Sequence, residues 1–261
     1  MQRTASALLP LLLLLAACKP DPEQQAEIRL QFTPLVGRDD FAPGTVYASP
    51  GGRAYTVETF RLYVSDVELV REGSGKTERL ADVVLYDFGI QTFYTPDSSG
   101  SGPLTAYVKP NTYSAVRFKI GVPPELNGGN PAQYPSLHPL SVSRGNHWNW
   151  TTGYVFFKLE GRVDSTSTQT GPPALGFTYH TGTDALLRTV EIPLGGVRFS
   201  LAERGGVYDL PVYLDLNQIF ANPQDTIDLA ERNLTHTMPP GSPDYILAEE
   251  LTNNLAQRAF R

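Results

Sequence analysis

Apolar side chains recur at every second position through much of this chain, and that period commits it to pleated strands with one buried face. The longest clean run is Tyr208, Leu210, Val212, Leu214 and Leu216. The same period marks Ile28, Leu30 and Phe32, the segment Thr59 to Leu69, and Val116, Phe118 and Ile120 before Gly121-Val122-Pro123-Pro124 ends the strand. Val83 to Phe88 is a further candidate, and Val190-Glu191-Ile192 with Val197-Arg198-Phe199 reads as one more pair. Tyr154 to Leu159 is apolar on both faces, which predicts a central strand. With 23 Gly, 22 Pro and only 18% charged residues, the chain has the turns that many short strands need. The expected fold is all-β: a β-sandwich of mostly antiparallel strands with long loops and a C-terminal helix. Pro243 to Phe260 carries Ile246, Leu247, Leu251, Leu255 and Phe260 at roughly helical spacing, with Ser242 as N-cap and Pro243 at the first position. Asn217 to Ala221 reads as a single turn. No fixed-period repeat and no long linker interrupts the chain, so residues 26–261 read as one domain. The loops at 34–54, 96–104, 127–147 and 164–176 are long for a sandwich, and long loops often carry function.

The first residues follow another logic. Arg3, the apolar run Ala5 to Leu15 and the sequence Leu15-Ala16-Ala17-Cys18 read as a signal peptide over 1–17. The run is too short to cross a bilayer core of roughly 30 Å as a stable helix. Cys after Ala-Ala is similar to a bacterial lipobox, so Cys18 is the expected lipidation site and 18–25 a lipidated tether. Lys19 in place of Asp matches lipoproteins sent to the outer membrane, facing the periplasm or the cell surface. Cys18 is the single cysteine, so the mature chain holds neither a disulfide nor a thiolate ligand. Any metal falls to His, carboxylate, Met, backbone oxygen or a modified side chain. A net charge of −6 without a basic run argues against a nucleic-acid partner.

Chemistry-bearing residues crowd at His147-Trp148-Asn149-Trp150, which holds both tryptophans and one of the four histidines. Imidazole ligates borderline transition metals, and indole is readily oxidised. His138, His180 and His236 lie elsewhere in sequence, His236 two residues before Met238. Two neutral imidazoles with a weak third ligand suit copper better than Mg²⁺ or Ca²⁺. Loop carboxylates such as Asp184 suit calcium by chemistry, but at no spacing that sets them apart from an ordinary turn. Motifs for serine hydrolases, phosphate-binding loops and zinc proteases are missing. Glu160, Asp164 and Asp184 could be combined into a glycosidase pair, yet strand-end and loop carboxylates are more often solvated or turn-forming.

Several segments together carry a resemblance. They are Phe60-Arg61-Leu62-Tyr63-Val64-Ser65-Asp66-Val67, Tyr113 to Pro123 with Leu126-Asn127, His138-Pro139-Leu140, Trp148 to Gly161, and Tyr179-His180-Thr181-Gly182. In this order they resemble the MbnP-like copper-binding family, named for a methanobactin-associated periplasmic protein. The most specific parts are Trp148-Asn149-Trp150-Thr151-Thr152-Gly153-Tyr154 and the later His180-Thr181-Gly182. The resemblance implies a site of His138 and His180, with His147 and His236 as further candidates. It also implies that Trp148 or Trp150 is oxidised to kynurenine by a di-haem peroxidase-like enzyme of the MbnH/MauG type. The protein would bind, store or deliver copper without catalytic turnover of its own. A rival from another class is a metal-free sandwich module for carbohydrate or adhesion, with the Trp pair as a stacking platform.

Overall fold

The computed structural model describes residues 25–148, 153–195, 206–237 and 239–261. Its strands are β1 (Ala26–Val36), β2 (Asp39–Asp40), β3 (Tyr47–Ala48), β4 (Ala54–Arg71), β5 (Thr77–Asp87), β6 (Thr92–Tyr94) and β7 (Ser99–Gly100). They continue with β8 (Leu104–Val108), β9 (Tyr113–Ile120), β10 (Val155–Val163), β11 (Leu175–Gly182), β12 (Arg188–Pro193), β13 (Val207–Asp215) and β14 (Leu234–Thr235). A short helix α1 (Pro124–Asn127) follows β9, and α2 (Pro243–Asn254) closes the chain.

The strands form two sheets, mostly antiparallel, as the period-two patterning predicts. The smaller sheet has β1 between β13 on one side and β8 with β2 on the other. Here β1 and β13 run parallel, with Leu30 beside Leu210 and Phe32 beside Val212, so both alternations point into one core. The larger sheet runs β14-β11-β10-β4-β5-β6-β7. Its spine is β4, long enough for β10 to pair with residues 55–62 and β9 to continue along the same edge at 64–71. The facing sides of the sheets bury Ile28, Leu30, Leu210 and Val212 against Phe60, Leu62, Val64 and Phe118. Phe32 packs 4.9 Å from Tyr86 and 5.2 Å from Phe118. Such aromatic burial is a main source of stability in a sandwich of this size.

The alternation at 190–192 belongs to β12, which pairs with β9. Its expected partner at 197–199 lies outside the described residues. The helix is capped as its sequence predicts: the Ser242 hydroxyl oxygen accepts the Tyr245 backbone N–H at 3.1 Å. Leu247, Leu251 and Leu255 face the core while Ile246 is exposed. The buried face runs through Leu247, Ala248, Leu251 and Thr252, which leaves Ile246 on the solvent side. After α2 a wider turn over Leu255–Ala259 delivers Phe260 to within 5.0 Å of Phe118.

The outer face of the larger sheet is covered too. A second, smaller core forms there from Tyr63, Val83, Leu85, Val122, Leu140, Tyr154 and Phe156. The connection between β9 and β10 lies over this face. Its anchors are phenolic: Tyr63 donates to the Pro139 carbonyl at 2.7 Å and Tyr154 to the Leu140 carbonyl at 2.8 Å. That connection carries His138, His147 and Trp148.

Candidate metal centre

The hairpin β10–β11 puts polar side chains on the outer face and Phe157, Leu159, Phe177 and Tyr179 into the core. Lys158 stands opposite His180, and Glu160 opposite Thr178, so Glu160 and His180 are diagonal neighbours. The Glu160 Oε1 lies 2.7 Å from His180 Nε2. Lys158 Nζ approaches the same oxygen at 3.5 Å. The hydrogen bond to His180 comes first among the causes that bring the Glu160 carboxyl down to about 2, against the opposing effect of burial.

β14 then adds to the far edge of β11 in parallel, pairing Thr178 with Leu234 and Tyr179 with Thr235. The chain beyond it is pinned down. Thr237 donates through its hydroxyl to the His180 carbonyl at 2.9 Å, and its Oγ1 accepts the Gly182 N–H at 3.2 Å. This fastening brings the His236 ring to 4.9 Å from the His180 ring. Burial, and then the neighbouring His180, push the His236 pKa down, which favours a neutral imidazole near pH 7.

Trp148 arrives from the other side of the same hairpin. Its backbone N–H donates to the Gly153 carbonyl at 3.1 Å, while Val155 N–H donates to the Asn146 carbonyl at 2.9 Å. The Trp148 ring is 4% exposed and rests on Gly182. A Cβ at Gly182 would lie 2.5 Å from Trp148 Cη2 and 2.5 Å from the Tyr154 carbonyl oxygen. Glycine is therefore required at 182 for the ring to reach the strand that holds His180. Asn127, buried at the end of α1, accepts the Tyr154 N–H at 2.8 Å and donates to Asp184 Oδ1 at 2.8 Å. That relay fixes the base of the Trp segment against the turn that follows β11.

The other two histidines are used differently. His138 Nδ1 accepts the Leu140 N–H at 3.0 Å, and its ring stacks on Tyr134 at 4.2 Å. In neutral imidazole that bond occupies the only basic lone pair. His147 packs edge-on to Tyr154 at 4.9 Å and accepts the Gly153 N–H through Nε2 at a long 3.4 Å. Burial pushes both pKa values down. Trp150, Met238 and Cys18 lie outside the described residues. Among the described residues no group of three His, Cys, Asp or Glu side chains is arranged to hold a metal ion. The carboxylates of the glycosidase reading have separate duties. Asp164 accepts the Thr166 and Gly171 N–H groups at 2.8 and 2.9 Å, Asp184 holds Asn127, and Glu160 holds His180.

Comparison with known proteins agrees with this architecture. The MbnP family model matches residues 25–239. The chain belongs to the MbnP family. Among solved structures, MbnP from Methylosinus trichosporium is similar in fold at 21% identity, covering 78% of this chain and 79% of that chain with a TM-score of 0.50. No curated protein matches the chain.

Within this MbnP-family chain, two site features escape a reading of the sequence alone. Glu160 enters there only as a carboxylate of a glycosidase pair, and its bond to His180 emerges from the β10–β11 register. The approach of His236 to His180 depends on β14, two residues long and paired in parallel, which leaves no periodic signal. The donor set nevertheless fits a borderline metal. Because a carboxylate only accepts, a neutral His180 bonded to Glu160 through Nε2 has Nδ1 as its basic nitrogen, and the His236 ring lies beside it.

Proposed function

We propose that this chain is an envelope copper-binding protein in which His180 and His236 are the primary ligands. The observation that carries the reading is the pair of rings 4.9 Å apart, one of them oriented by a carboxylate. Two imidazoles without thiolate suit copper, and a carboxylate on the remote nitrogen of a ligand histidine fixes its tautomer and raises its basicity. Family membership supports the same metal. Copper is cargo in this reading, bound for storage, acquisition or delivery, and the protein itself turns over no substrate. Trp148 or Trp150 is the target of a di-haem peroxidase-like partner, and kynurenine would add an aryl amine and a ketone oxygen beside the imidazoles. Cys18 would tether the protein to the outer membrane through its lipid. The burial of Trp148 speaks against its use as a sugar-stacking platform, which needs an exposed ring face.

The test is a copper titration of the wild type against single alanine variants. His180→Ala and His236→Ala should each weaken binding by tenfold or more, roughly the 10–100-fold that disturbing a metal site costs. His138→Ala should change it little. Unchanged affinity in both of the first two variants would remove the ligand assignment. Intact mass after co-expression with the partner enzyme reports separately on tryptophan oxidation.

A further inference from the structure

Lys158 stands directly opposite His180 in the antiparallel β10–β11 pair, so both side chains rise from the outer face of the sheet as close neighbours. Its ammonium lies 3.5 Å from Glu160 Oε1, the same oxygen that is 2.7 Å from His180 Nε2. The Lys158 side chain is only 19% exposed. Water and salt therefore screen its charge less than they would on an open surface.

The fixed charges that bear on the neighbouring His236 are those of Asp244 and Glu160, both negative, and of Lys158, which is positive. Lys158 thus offsets one of two carboxylates around the paired rings. An ammonium has three donors and no lone pair, so it is no metal ligand. It acts on a bound ion through its field. The repulsion between an ammonium and a cation scales with the charge of that cation, so it is twice as large for a dication as for a monocation.

We propose that Lys158 sets the balance between the two oxidation states of bound copper by holding down the affinity for Cu(II) relative to Cu(I). The inference rests on copper binding at His180 and His236, and it adds a specificity-determining residue that touches no metal. Lys158 works through charge alone. Glu160, bonded to the His180 ring, works in the opposite sense.

The test measures the affinity of the full chain for Cu(I) and for Cu(II) separately, each against a competing chelator, with the Cu(I) series kept anaerobic and reducing. Lys158→Leu removes the charge and offers copper no donor atom. In that variant the ratio of Cu(II) to Cu(I) affinity should rise about five- to thirtyfold. Lys158→Arg keeps the charge and should leave the ratio close to wild type. Glu160→Gln should lower it. A purely structural role for Lys158 would weaken both ions together in Lys158→Leu and leave the ratio unchanged, and that result overturns the proposal. So does an equal rise in Lys158→Arg, or a rise in Glu160→Gln. An unchanged ratio with both ions still bound removes the role of Lys158 alone, whereas a wild type that binds neither ion removes the copper reading as well.

Discussion

Gly182 is where one hydrogen atom in place of a methyl group decides whether an indole can reach a strand. The Trp148 ring and the Tyr154 carbonyl both stand where a Cβ would go. Neither is the free end of a flexible chain, so relief requires moving both the ring and the backbone at Tyr154. Gly182→Ala should destabilise the protein by about 1–3 kcal/mol, the usual scale of overpacking. It should also shift tryptophan fluorescence to the red as Trp148 meets water. An unchanged emission maximum would show that the ring does not depend on this glycine. Asp66 is a second residue that repays close reading, because it holds φ 47° within β4 and pairs with Lys119 Nζ at 2.8 Å and with Arg79. Burial raises its pKa, but the bonds from Lys119 and Arg79 outweigh it and hold the carboxyl below its ordinary value. A lowered carboxylate pKa adds stability that is complete above the unfolded value of about 3.9 and fades as pH falls through the folded value. Asp66→Asn keeps a residue that tolerates left-handed backbone while removing the charge. Its thermal midpoint should lie below wild type at pH 7, and the gap should close below about pH 3.9. A gap of constant size across that range would refute the electrostatic account.

Elements explain why these residues meet. The connection between β9 and β10 is long; its described residues hold only α1 and two single 3-10 turns, Pro131–Gln133 and Val142–Arg144, and buried bonds fix them to the sheet. Asn127 is central to it, joining Tyr154 N–H on one side and Asp184 on the other. Asn127→Ala would leave the Tyr154 N–H buried without its acceptor, at a cost of about 1–3 kcal/mol. Hydrogen exchange at the Tyr154 amide should speed up in parallel, and a double-mutant cycle with Asp184→Ala should show coupling between the two positions. Additivity of the two changes would mean that the relay carries no energy. Legibility also divides at this scale. The strands β1, β4, β9 and β13 are plain in the sequence because each shows a sustained alternation with one face buried. By contrast β11 alternates only over Phe177, Tyr179 and Thr181, between Gly176 and Gly182, and is not among the strands that the patterning picks out. The site inherits that blindness. His180 is conspicuous as a residue, but the sequence pairs it with His138 by family resemblance, whereas register and a two-residue parallel strand set His236 beside it. Local periodicity cannot report a contact that depends on which distant edge a strand joins.

For the whole molecule, the sandwich separates what stabilises it from what it presents. The inter-sheet core ends at Phe260, whose ring lies 5.0 Å from Phe118 and 6.3 Å from Phe32, while Arg261 pairs its backbone with Tyr213 at 2.9 and 3.1 Å. The last residues thus fasten α2 to both sheets. The histidine pair lies elsewhere, on the outer face of β11 and at the end of β14. Truncating a core aromatic costs roughly 3–5 kcal/mol when it is fully buried. Phe260 is only partly buried, so Phe260→Ala should cost somewhat less, about 2–3 kcal/mol. Mutations that share no partner and lie well apart combine additively. Phe260→Ala should therefore lower the denaturation midpoint yet leave copper affinity at 25 °C within twofold of wild type, provided the folded state stays fully populated. His236→Ala should do the converse, weakening copper binding with little change in the midpoint of the metal-free protein. If Phe260→Ala impaired copper binding as strongly as His236→Ala, the site would depend on the packing of the two sheets against each other, and the outer face could not be treated as a separate surface carried by a rigid core.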